Sequence, residues 1–136
     1  MYICKNFIIE EFVSSKIYNE LKNDSWKLLD ERILITVDEL RLYIGKKITI
    51  NNWKWGGTFS QRGYRDLSIG SKYSQHRFGR AIDFDVNSYS SEEIRKIIIS
   101  KQELFPFVTA IEKNTNWVHI DCRYLYRSNG ILLFNP

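Results

Sequence analysis

The chain is poor in the residues that most often define a small protein by themselves. Its 136 residues include two cysteines, two prolines, one methionine and two histidines. Cys4 and Cys122 form no C-x-x-C pair, and two thiols do not make a disulfide framework. Cys122 follows His119 by three residues, which on a strand points it to the opposite face, so it reads as a buried thiol and not a ligand. No Pro/Gly-rich linker, internal repeat or low-complexity tract interrupts the chain. No apolar run approaches the roughly 20 residues that span a bilayer. The opening Met1-Tyr2-Ile3-Cys4-Lys5-Asn6-Phe7 lacks the charged start and long apolar stretch of a signal peptide. The expectation is a product that is cytoplasmic when synthesised and reaches any outside target only after release.

What is present suits one α+β domain over residues 1–136. Domains run about 100–150 residues at the mode. Apolar residues make up 43% of the chain and aromatics 15%, enough for a real core. The net charge of +4 is scattered and not gathered in a tail. Such an excess favours anionic surroundings, whether nucleic acid, an anionic cell wall or a carboxylate-rich substrate, and is also what a solvated surface carries. A nucleic-acid role rests on charge and aromatics alone, and none is assigned.

Residues 8–13 read as a short helical turn. A helix is predicted over Glu31–Ile44, with Asp30 as its cap, Ile33, Val37, Leu40 and Ile44 at helical spacing, and Gly45 as its stop. Residues 47–51 read as a strand. Residues 52–75, rich in Gly, Ser and aromatics, are too long for a simple connection and read as a functional loop. Residues 81–86 alternate apolar and acidic side chains, as a strand lining a site would. Ser90 and Glu93 stand at capping-box spacing before a helix through residue 99. Residues 107–112 and 117–122 read as a hairpin around Asn114-Thr115, and 131–134 as a last strand. The sum is a small, mainly antiparallel sheet with flanking helices.

Both histidines lie in segments rich in site chemistry. One reads Ser74-Gln75-His76-Arg77-Phe78-Gly79-Arg80-Ala81-Ile82-Asp83-Phe84-Asp85, the other Trp117-Val118-His119-Ile120-Asp121. His76, Asp83 and His119 would supply two imidazoles and a carboxylate, leaving a fourth position on a zinc ion for water. Ser74 could hold the loop by hydrogen bonding, and Gly79 permits a backbone conformation closed to other residues. Asp83 and Asp85 share one strand face and call for a cation or donors nearby. Asp121 or Asp85 could orient a ligand imidazole.

Ser74-x-His76-x-x-Gly79-x-Ala81-x-Asp83 followed by Trp117-Val118-His119 resembles the signature of the zinc D-alanyl-D-alanine carboxypeptidase and L-alanyl-D-glutamate endopeptidase superfamily, which shares its fold with the hedgehog signalling domain. Ile50-Asn51-Asn52-Trp53 and Gly56-Gly57-x-Phe59-Ser60-Gln61-Arg62-Gly63 resemble its small phage and prophage members. The likeness covers about residues 47–123. It implies that His76, Asp83 and His119 are zinc ligands, and that Arg65, in Gly63-Tyr64-Arg65, faces the scissile carbonyl and stabilises the oxyanion. It implies Arg62 as a second anion contact, with Ser74 and Trp117 completing the substrate-binding set.

The family often places an acid three residues before the last histidine, where this chain has Asn116. Other members have a glutamate further upstream, which makes Glu112 the candidate general base. With a turn at Asn114-Thr115, Glu112 lies opposite Trp117 and Ala110 opposite His119, so Glu112 and His119 are diagonal neighbours on one face. Trp53-Lys54-Trp55 is expected to wall the cleft. The resemblance implies a zinc peptidase cutting peptidoglycan stem peptides, in the manner of an endolysin. The alternative is a zinc-binding module of the same fold without catalysis, binding wall peptide or a protein.

Overall fold

Local signals that agree with one another give the clearest elements. The computed structural model, which describes residues 1–66, 68–125 and 130–136, has helices α1 (Ser15–Leu21), α2 (Glu31–Ile44) and α3 (Ser91–Ser100). Leu67, within the aromatic loop, lies outside the described residues. In α2 the Asp30 carboxylate accepts the Arg32 N–H at 2.9 Å, and Gly45 closes the helix with φ +69°. Ile33, Val37 and Leu40 are buried as the spacing predicts, with Leu34 beside them, and Ile44 packs against the core's edge. Asp38 also lies on the buried side. It accepts hydrogen bonds from the Tyr2 hydroxyl, the Lys5 and Asn6 N–H groups and the Asn6 amide, which pins the N-terminal segment to α2. α3 carries the expected capping box between Ser90 and Glu93. The predicted turn near residue 8 is a 3-10 turn, Ile9–Glu11.

The strands are β1 (Ile48–Thr49), β2 (Ala81–Val86), β3 (Ala110–Glu112), β4 (Val118–Asp121) and β5 (Leu132–Phe134). Their order across the sheet is β1-β2-β4-β3-β5. All pairings are antiparallel except β3 with β5, which is parallel. Ile48, Ile82, Phe84, Ile111, Val118 and Ile120 bury one face of this sheet against the helices. Such alternation leaves the other face free for polar chemistry. Among the described residues no helix is long and apolar enough to cross a membrane.

One expectation about register is corrected. Glu112 pairs with His119, and Ala110 with Asp121, a shift of two residues from the tight hairpin. The backbone explains it. Lys113 gives its N–H to Phe134 of β5 at 2.8 Å instead of closing a turn, and Asn114 adopts a left-handed φ of 64°. Because side chains alternate with a period of two, an even shift keeps Glu112 on the same face as His119.

Candidate metal centre

The register lines up chemistry across the sheet. Asp83 of β2 pairs with His119 of β4, His119 with Glu112 of β3, and Glu112 with Phe134 of β5. These side chains form one transverse row on the polar face. His76 joins them from a 3-10 turn, Gln75–Phe78, which precedes β2. Ser74 caps that turn by accepting the His76 N–H at 3.3 Å. Gly79 ends it at φ +67°, where a Cβ would also collide with the Leu28 carbonyl. Gly63 is needed for a different reason: a Cβ there would strike the Phe12 carbonyl. The close approach lets the Gly63 carbonyl accept a hydrogen bond from His76 Nδ1 at 2.8 Å.

That bond fixes the His76 tautomer. A carbonyl only accepts, so Nδ1 carries the proton and Nε2 presents a lone pair. Nε2 is buried and without a hydrogen-bond partner, 3.2 Å from Asp83 Oδ1 and not aligned for a bond to it. Two acceptors facing each other in a buried site call for a proton or a metal cation between them. Asp83 Oδ1 is also 2.7 Å from His119 Nδ1. The three donor atoms lie within 4.8 Å of one another, and all three residues are buried. The set of two imidazoles and one carboxylate therefore could hold a metal ion.

A second layer orients the first. His119 Nε2 is 2.8 Å from Asp121 Oδ2, which leaves Nδ1 for the ligand role when Nε2–H donates there. Asp121 is completely buried and takes a forked pair of bonds from Arg123, at 2.8 and 2.6 Å. Arg65 Nη2 bonds Asp83 Oδ2 at 3.1 Å, and its Nε bonds the Gln61 carbonyl at 2.9 Å.

The electrostatics follow. Burial opposes ionisation of Asp83, yet the hydrogen bond with His119 holds its carboxyl far below the usual range. Burial also disfavours an imidazolium at His119, but Asp121 and Asp83 outweigh it and push the metal-free group up to about 9. Burial likewise opposes ionisation of Asp121, which Arg123 and His119 lower. A cluster so strongly anionic in its preferences suits a cation in its centre.

The cavity above this row is about 380 Å³. Of the sequence-derived residues, it is lined by His76, Asp83, His119, Glu112, Arg65, Ser74 and Trp117. Glu112 Oε2 is 3.9 Å from His119 Nδ1, and no hydrogen bond among the described residues engages its carboxylate. Arg62 does not line this cavity. It pairs with Asp85 at 2.9 Å and lies over the Phe59 ring, so Asp85 is not the group that orients an imidazole. Trp53-Lys54-Trp55 does not wall the cavity either: the Trp53 indole N–H bonds the Val13 carbonyl, and Lys54 pairs with Glu10.

Sequence reasoning missed Arg123, Tyr73, Gln75 and Phe134, which also line it. For Arg123 a signal existed, since it follows Asp121 by two residues and an extended chain brings it to the same side. Comparison with protein-family models, curated proteins and solved structures finds no match.

Proposed function

We propose that this chain is a zinc peptidase of the D-alanyl-D-alanine carboxypeptidase and L-alanyl-D-glutamate endopeptidase type, with the fold that likeness implies, acting on peptidoglycan stem peptides. The observation that carries the reading is the row Asp83–His119–Glu112 with His76 closing over it: metal donors and a carboxylate that no hydrogen bond among the described residues engages share one cavity. Zinc held by His76 Nε2, Asp83 Oδ1 and His119 Nδ1 would polarise the scissile carbonyl and make water a nucleophile near neutral pH.

The chain's residues do the rest. Glu112 accepts the proton of the attacking water and passes it to the leaving amine. Arg65 lines the cavity, keeps Asp83 in place through Oδ2 and supplies the cation for the developing oxyanion. Trp117 and Tyr73 give the cavity apolar walls for the peptide. Ser74 acts through the turn that it caps.

The test is metal analysis of purified protein together with mass spectrometry of digested peptidoglycan. One zinc per chain and new stem-peptide termini are the expected result. Zinc retained with every stem peptide left intact would favour the non-catalytic zinc module.

A further inference from the structure

The aromatic turn that the metal cavity leaves unused lines a second cavity. Trp53–Trp55 forms a 3-10 turn closed by Gly56 at φ +86°. Trp53 and Lys54 are fastened to the protein, through the Val13 carbonyl and Glu10. Trp55 is 62% exposed, and none of its ring contacts or indole hydrogen bonds is found among the described residues. Trp55 borders a cavity of about 450 Å³, larger than the metal cavity and sharing no lining residue with it.

Charge distinguishes this cavity. Lys5, Arg41 and Lys47 converge on it from the N-terminal segment, the last turn of α2 and the approach to β1. No salt bridge among the described residues takes up any of the three, and Lys47 is near enough to Glu11 to offset part of the rise that burial gives its carboxyl. The single carboxylate present, Glu11, accepts the Ile8 N–H at 2.9 Å. Three cations against one engaged carboxylate leave a positive surplus. Phe7 and Ile48, both buried, form an apolar floor. Cationic groups that converge beside an exposed aromatic face recognise an anion carried on a ring.

We infer that this cavity is a binding site for an acidic saccharide, whose carboxylate or phosphate meets Lys5, Arg41 and Lys47 while the ring's apolar face lies on Trp55. One indole offers one stacking face, and the volume suits one or two rings, not a polymer track. Scattered charge elsewhere on the chain argues against a nucleic-acid path, which needs several phosphate contacts in line. The inference depends on neither the metal nor hydrolysis.

The test uses the full chain, ¹⁵N-labelled and treated with chelator. The probes are N-acetylmuramic acid, glucose 6-phosphate, neutral N-acetylglucosamine and adenosine monophosphate. The two acidic sugars should shift the Trp55 indole signal and the amides of Lys5, Lys47 and Ile48 saturably. The neutral sugar should bind at least about tenfold more weakly. Lys47→Ala, Trp55→Ala and Arg41→Gln should each weaken the acidic sugars by about fivefold or more, with the remaining spectrum unchanged. Lys47 and Trp55 are exposed, so their replacement leaves the fold intact. Equal affinity for the neutral sugar, shifts confined to the metal cavity, tighter binding of the nucleotide, or no saturable shift at millimolar probe overturns the inference. None of these outcomes involves peptide turnover, so failure here and failure of the peptidase reading are separate results.

Discussion

At His76 a single hydrogen bond decides what the side chain can do. The Gly63 carbonyl holds the proton on Nδ1, and the buried Nε2 is left as a donor to metal. His76→Ala should therefore abolish stoichiometric zinc, read by metal analysis after dialysis. Asp121→Asn is the subtler change. It weakens the acceptor for His119 Nε2–H and should lower zinc affinity about ten- to a hundredfold in a competition titration, with an unaltered circular dichroism spectrum. Glu112→Gln keeps the shape and removes the proton acceptor. It should retain zinc and lose about a hundred- to ten-thousandfold in turnover of stem peptides, and an active variant would pass the base role to another carboxylate. His76, Asp83 and His119 were legible in the sequence because histidine is scarce and the spacing is distinctive. Arg62 was misjudged because a likeness of sequence does not say which way a loop side chain turns. Asp85 and Phe59 take it away from the cavity. Phe134 was illegible because only the parallel pairing of β5 brings it beside Glu112.

Among the elements, those with local punctuation were legible and those with distant partners were not. α2 agrees with its predicted ends because Asp30 and Gly45 act within one turn of the helix. β2 agrees because its alternation is strict. The β3–β4 register was misplaced because the loop's backbone bonds go elsewhere, one of them to β5. A buried arginine on α3 also shapes that loop. Arg95, only 6% exposed, donates to the Thr115 and Trp117 carbonyls at 3.2 and 3.1 Å, and pairs with Glu92 at 2.9 Å. Thr115 adds its own hydroxyl bond to the Trp117 carbonyl. The strand that carries His119 thus starts from a loop anchored by a helix. Arg95→Ala would leave buried carbonyls without this donor. The expected loss is about 1–3 kcal/mol in urea unfolding. The Trp117 fluorescence should change as well, because its main chain loses an anchor. Unchanged stability would mean that water replaces the guanidinium without loss.

For the molecule as a whole, two linkages connect the solution to the fold. The first is through the thiols. Cys4 and Cys122 are buried and free, and burial, followed by nearby carboxylates, raises both, Cys122 up to about 12. The folded state therefore keeps protons that the unfolded state gives up near a thiol's ordinary value of ~8.5. Fewer protons on the unfolded chain mean that stability falls as pH rises from that value towards 12. Serine at both positions should flatten this alkaline decline in urea midpoints, and thiol reagents should react with the native protein only as it unfolds. The second is the linkage that a metal ion at the proposed site would add. Its donors sit on β2 and the turn that enters it, and on β4, where His119 lies 36 residues beyond Asp83, so that only folding unites the two halves. An ion bound to this arrangement and not to the unfolded chain adds RT ln(1 + [L]/Kd), about 2.7 kcal/mol at a hundredfold excess over Kd. For a domain of this size that is on the order of 8–12 °C in melting temperature. Zinc added to chelator-treated protein should raise the melting temperature by that amount in a calorimetric scan, and chelator should reverse it. In the His76→Ala protein the shift should vanish. A wild-type melting temperature indifferent to both zinc and chelator would remove the metal from the account, while leaving the buried cluster of Asp83, His119 and Asp121 to be explained as a charge network alone.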